Sequence, residues 1–163
     1  MKTSNIHLDL KYENRNRIFN KIRESGNISS SALSYALTLS RPTVRQNLTE
    51  LTELGLIYES GAVGHTGGRK AKTYAIVSGS KIAVGIDLTR NHITVVLVNL
   101  YGSIIYSKRI RCSFSLEDAY LKNLGNLIEE ALLEQNIDKT TVVGVGIAVP
   151  GLITEDHKKI FLR

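Results

Sequence analysis

Residues 40–57, reading SRPTVRQNLTELTELGLI, constrain the fold of this chain more tightly than any other stretch. Ser40 offers an oxygen to cap the first turn of a helix, and Pro42 follows where a missing N–H costs nothing. Val44, Leu48 and Leu51 recur at the spacing i, i+4, i+7 and predict a stripe facing a core. Pro42, Arg45, Gln46 and Thr49 fall on the opposite row. Arg and Gln carry forked donors and acceptors that match guanine and adenine edges in a major groove. Any amphipathic helix has a polar face, so this helix acquires meaning only from its surroundings.

Upstream, residues 14–25 are polar with an apolar stripe at Ile18, Phe19 and Ile22, and Gly26 follows as a C-terminal stop. Ile28 is a short apolar hook, after which Ser29 or Ser30 can cap a brief helix through Leu37 carrying Ala32, Leu33 and Ala36. Downstream, Gly55 ends the third helix and Leu56-Ile57-Tyr58 opens a strand. A glycine-rich tip follows (Gly61, Gly64, Gly67, Gly68), then Arg69, Lys70 and Lys72, and a return strand through Tyr74, Ile76 and Val77. Helix, short helix, turn, helix and hairpin in this order is the layout of a winged helix-turn-helix. The expected domain covers residues 1–78.

In that layout Arg45 and Gln46 are the candidate base-edge readers, with Thr43 and Thr49 on phosphates or edges and Pro42 beside them on the exposed row. Arg41, near the helix start, is placed to meet a phosphate at the positive end of the helix dipole. At the wing, Arg69 is the candidate minor-groove probe, with Lys70 and Lys72 on the backbone. Tyr58 and Tyr74 are assigned to packing on the hairpin, and His65 to an exposed tip. Charge agrees with this reading. Residues 1–80 hold eleven Lys/Arg against six Asp/Glu, a net of +5, and residues 81–163 hold ten against nine, a net of +1. Phosphate neutralisation dominates nucleic-acid affinity, so positive charge belongs where the reading helix is.

A hydrophobic share of 42% excludes wholesale disorder. The single cysteine, Cys112, excludes an internal disulfide, and neither it nor the scattered His7, His65, His92 and His157 suggests a metal site. No leader and no long apolar span is evident, which points to a cytoplasmic protein without a membrane anchor.

Texture changes at Val77-Ser78-Gly79-Ser80, a short polar joint. Residues 81–87 (KIAVGID), 92–99 (HITVVLVN) and 103–111 read as three strands joined by short turns, hence as antiparallel neighbours. A helix of about twenty residues from near Leu116 follows, with Leu121, Leu124, Ile128, Ala131 and Leu132 on one face. Residues 141–149 (TVVGVGIAV) form a near-continuous apolar run, as in a parallel strand buried on both faces. The order βββαβ describes one α/β lobe over residues 79–163.

The succession of TGGRK in the hairpin, VGIDLTRNHITVVLVNLYGSII and VGVGIAVPGLIT resembles the ROK family, and within it the xylose-repressor-like transcriptional repressors of sugar metabolism. The likeness runs from about Asn14 to Arg163. It implies a two-domain chain of α+β and α/β parts, a winged helix-turn-helix followed by a partial ribonuclease-H-like or actin-like ATPase lobe. It also implies a cytoplasmic homodimer on a palindromic double-stranded DNA operator, with a sugar effector in the full-length form. Two departures qualify that. Kinase members carry DxGGT after the first strand, whereas the matching Asp87-Leu88-Thr89-Arg90-Asn91 has no glycine to let a backbone approach ATP phosphates. No catalytic residue, cofactor or metal is therefore expected, and Asp87 is read as a relic or a structural carboxylate. The family's catalytic Asp, its ExGH motif and its Cys-rich zinc motif fall beyond Arg163. The expectation is thus a fragment or a truncated gene product, with apolar lobe surface left uncovered and the lobe less stable alone than the head. A sugar kinase with a fused DNA-binding head is the alternative, and a protein-binding winged helix the third class.

Overall fold

The computed structural model describes residues 3–63, 71–153 and 160–161. The chain divides into two compact units, Met1–Ser78 and Gly79–Arg163.

The first unit opens with helix α1 (Thr3–Ser25), strand β1 (Ile28–Ser29), α2 (Ser30–Leu37) and α3 (Arg41–Glu53). A hairpin follows, of β2 (Ile57–Val63) and β3 (Ala71–Ile76). Each helix starts and stops for a local reason. Ser29 caps α2 by accepting the Ala32 N–H, and Ser40 caps α3 by accepting the Thr43 N–H at 3.3 Å. Pro42 sits in the first turn of α3. Gly26 (φ +70°) follows α1, and Gly55 (φ +67°) closes α3. Its N–H reaches Thr52 O while the Leu56 N–H reaches back to Leu51 O, the paired bonds of a left-handed glycine stop. Arg17 donates to Leu37 O at 3.0 Å and so caps the negative end of α2.

Ile18, Ile22, Leu33, Val44, Leu48, Leu51, Ile57, Ala75 and Ile76 form the buried apolar set of this unit. The stripes read from sequence are those on α1 and α3, whereas Ala32 and Ala36 of α2 are exposed. α1 starts eleven residues ahead of the expected Asn14. The early part has no apolar repeat to announce it. The three strands form one antiparallel sheet in the order β1-β3-β2, with Ile28 opposite Tyr74 and Ile57 opposite Ile76. A bulge between Glu59 and Gly61 is accommodated by glycine at φ +145°. There Ser60 donates to Asn27 Oδ1 at 2.7 Å.

The second unit carries β4 (Ile82–Leu88), β5 (His92–Val98), β6 (Ile104–Arg111), α4 (Asp118–Glu134), β7 (Val142–Ala148) and the short pair β8 (Leu152–Ile153) and β9 (Ile160–Phe161). The sheet order is β6-β5-β4-β7, antiparallel except that β7 runs parallel to β4. Alternation places Ile82, Val84, Ile86 and Leu88 of β4 with Ile93, Val95 and Leu97 of β5 under Tyr120, Leu124, Leu127, Ala131 and Leu132 of α4. Lys108 of β6 is tied to Glu130 and Glu134 of α4 at 2.8 and 3.2 Å, which holds its ammonium pKa well above the usual lysine range. Gly85 sits at a close approach, where a Cβ would lie 2.7 Å from Val96 Cγ2 on the neighbouring strand and force one of them to shift.

Two expectations for this unit are corrected. Leu121 lies outside the buried face of α4, 54% exposed, because the face turns through Tyr120, Leu124, Leu127 and Ala131. β7 is not buried on both faces. Val143, Val145 and Ile147 are 65%, 48% and 55% exposed, since β7 is an edge strand and α4 covers β4 and β5. Among the described residues no helix is long and apolar enough to cross a membrane, and no cluster of three His, Cys, Asp or Glu could hold a metal ion.

Candidate nucleic-acid interface

α3 has one buried apolar face and one exposed polar face. Its inner side is fixed by Val44, Leu48 and Leu51, all at most 3% exposed, so the direction of its outer side is fixed too. Arg41, Pro42, Arg45, Gln46 and Thr49 are exposed there and, with Glu50, line one shallow hollow along the helix. Thr43 is half-buried, its hydroxyl 2.8 Å from Ser40 Oγ, and so reinforces the cap. Thr49 donates its hydroxyl hydrogen to Arg45 O at 3.1 Å, which leaves its oxygen to act as an acceptor.

Arg45 is shared with two further hollows. One runs from Ser30 and Ser31 at the start of α2 to Ala71, Lys72 and Tyr74 of β3. The other passes Thr52, Glu59 and Tyr74. The guanidinium thus stands where helix and hairpin converge. Lys72, a sequence candidate for the phosphate backbone, pairs with Glu59 across the hairpin at 2.7 Å. Tyr58 is 49% exposed on β2, and Tyr74 is half-buried and lines both hollows beside Arg45. Arg69, Lys70, His65 and the glycines 64, 67 and 68 lie outside the described residues.

Sequence reasoning missed the charges behind this face. Lys11 Nζ lies 2.7 Å from Glu50 Oε1 and Arg15 Nη1 lies 3.5 Å from Glu50 Oε2. Arg15 also stands over the Tyr12 ring at 4.8 Å. Lys11, with smaller help from Gln46 and Arg15, holds the Glu50 carboxyl below the usual carboxylate range. The contact crosses from α1 to α3, so no local spacing announces it. Tyr35 of α2, 91% exposed, was missed as well.

In the second unit, Asp87 is exposed on the uncovered face of β4. The turn after it is closed by the Thr89 N–H to His92 O at 2.9 Å and the His92 N–H to Thr89 Oγ1 at 3.1 Å.

Residues 83–162 match the ROK family. The chain is 27% identical over 157 residues to a putative xylose repressor from Caldicellulosiruptor sp. strain Rt8B.4, covering 96% of this chain and 39% of that protein. It is 25% identical to the xylose repressor of Bacillus subtilis strain 168, over 93% of this chain and 40% of the relative. It is also 25% identical to the Escherichia coli K12 DNA-binding transcriptional dual regulator NagC, over 93% and 37%. The chain spans about two fifths of the length of the curated relatives it matches. The crystal structure of a ROK family transcriptional regulator, a homologue of the E. coli MLC protein, shares the fold over 93% of this chain and 38% of its own, with a TM-score of 0.66 at 24% identity. From β4 onward, then, residues 83–162 of this chain match a ROK family domain.

Proposed function

We propose that this chain is a sequence-specific DNA-binding regulator. Its residues 1–78 act as a winged helix-turn-helix, and its residues 79–163 belong to a sugar-responsive ROK part. The carrying observation is the exposed row Arg41, Arg45, Gln46 and Thr49 on a helix whose capped start and buried back fix its direction. That row holds the residue types that read base edges, in the half of the chain with net charge +5. The hairpin beside Arg45 supplies the wing, with Arg69, Lys70 and Lys72 as its cations. Relatives named xylose repressor, and the DNA-binding regulator NagC, support regulation of sugar-utilisation genes by repression; the proposal adds a sugar effector and a cytoplasmic homodimer, whose symmetry would match a two-fold operator. A non-catalytic role is supported by the turn after β4. Residues 87–91 hold no glycine that would let the backbone close on a phosphate.

The test is selection of duplexes from a random library by the full chain, followed by titration of the preferred duplex. Arg45→Ala should weaken binding to that duplex by about 1–3 kcal/mol and relax preference at one base position. Arg69→Ala should weaken all duplexes alike. Equal binding of the unaltered chain and Arg45→Ala to every duplex would refute the assignment.

A further inference from the structure

Gln46 stands on the exposed row of α3, and its amide is hydrogen-bonded to the same helix. Its Nε2 donates to Glu50 Oε1 at 3.3 Å, one helical turn further on. The same oxygen receives Lys11 Nζ at 2.7 Å, and the second oxygen faces Arg15 at 3.5 Å. Glu50 is only 22% exposed along its side chain.

We infer that Glu50 is a positioning residue that fixes Gln46 in the orientation needed to read an adenine edge, anchored in turn by Lys11 and Arg15 of α1. The inference rests on the DNA-reading role proposed above. An ionised carboxylate only accepts hydrogen bonds, so it can face the amide nitrogen of Gln46 but not its oxygen. One N–H is thereby used, and the amide retains one N–H and one carbonyl oxygen. That pair matches the N7 acceptor and N6 donor that adenine shows in the major groove. An amide already held in place also loses less rotamer freedom on binding than a free one. A lone carboxylate beside a polyanion would repel it, but Lys11 and Arg15 neutralise Glu50. A carboxyl is ionised at neutral pH in any case, and Lys11 shifts the Glu50 titration further down.

The experiment repeats the duplex selection with the full chain carrying Gln46→Ala, Glu50→Ala or Glu50→Gln. The unaltered chain should enrich adenine about tenfold at one position in each half-site, and Gln46→Ala should abolish that enrichment. Glu50→Ala should reduce it to below about threefold at the same position. It should leave the Arg45 position and low-salt binding of unselected duplex within about threefold. Glu50→Gln retains an acceptor but no charge, and should fall between the unaltered chain and Glu50→Ala. Undiminished adenine enrichment in Glu50→Ala overturns the inference. Equal loss at every position in both Glu50 variants, with a lowered melting temperature, overturns it in favour of a purely structural contact. If Gln46→Ala changes no position, the inference falls while DNA reading stands. If the unaltered chain enriches no sequence, both fall.

Discussion

Asn47 allows a prediction whose sign runs against the usual effect of mutating a buried residue. It lies on the inner side of α3, 3% exposed, between Val44, Leu48 and Leu51. Its Nδ2 donates to Thr43 O at 2.8 Å. Its Oδ1 is buried and has no hydrogen-bond partner among the described residues. A buried acceptor left unpaired costs about 1–3 kcal/mol. Asn47→Leu removes that cost, keeps the γ-branched shape, and adds apolar burial and a few tenths of a kcal/mol of helix propensity. It gives up one hydrogen bond of about 1 kcal/mol. That loss orphans nothing, because Thr43 O keeps its place in the helix ladder. The net expectation is stabilisation by about 1–2 kcal/mol, which for a unit of this size raises the melting temperature by roughly 4–8 °C per kcal/mol. Thermal and urea unfolding of the full chain, followed by the helical circular dichroism signal, would measure it. Duplex binding should be unchanged, because residue 47 is turned away from the exposed row. Destabilisation by 1 kcal/mol or more would refute the reasoning and show that the amide oxygen is satisfied in solution.

Two further outcomes follow from local chemistry. Ser40→Ala removes the acceptor for the Thr43 N–H and the partner of its hydroxyl, and should cost about 1 kcal/mol in denaturant unfolding, with Ser40→Asp restoring most of it. An unchanged midpoint for Ser40→Ala would count against the cap. Acid should also destabilise the chain. Glu50 and Glu129 are held below their ordinary 4.5 by Lys11 and Lys139, and Asp138 below its 3.8 by the Thr140 N–H. Stability from a depressed carboxyl is complete above its unfolded value and is lost as pH falls through the folded one. The unfolding midpoint should therefore hold from pH 7 to about 5 and decline below the ordinary 4.5, and a midpoint that rises on acidification would contradict these pairings.

Much of α3 was legible because three independent signals coincide there: the Ser40 cap, the 3.6-residue period of Val44, Leu48 and Leu51, and the Gly55 stop. The strands of the second unit were legible from their β-branched runs and short turns. Tertiary context hid the rest. The first part of α1 has no apolar repeat, and Lys11 is engaged by Glu50 of another helix. Leu121 was assigned to the buried face of α4 because several leucines there leave two helical registers open, and packing selects the one through Leu127. The apolar run of β7 cannot tell a covered strand from an edge strand, since only the neighbours decide that. Ile28 was visible as a hook, but its pairing with Tyr74 bridges 46 positions and has no local signature.

That pairing has a mechanical consequence. Ile28–Ser29 is joined edge to edge with Tyr74–Thr73, and Asn27 is latched to Ser60. The base of the hairpin is thus stitched to the residues from which α2 springs. Tilting the hairpin would have to break this seam, so its base and the helices should behave as one calliper of fixed gape. On the DNA-reading role proposed above, such a tool would measure the spacing of two adjacent grooves before any base is inspected, and it would reject a duplex of the wrong width on geometry alone.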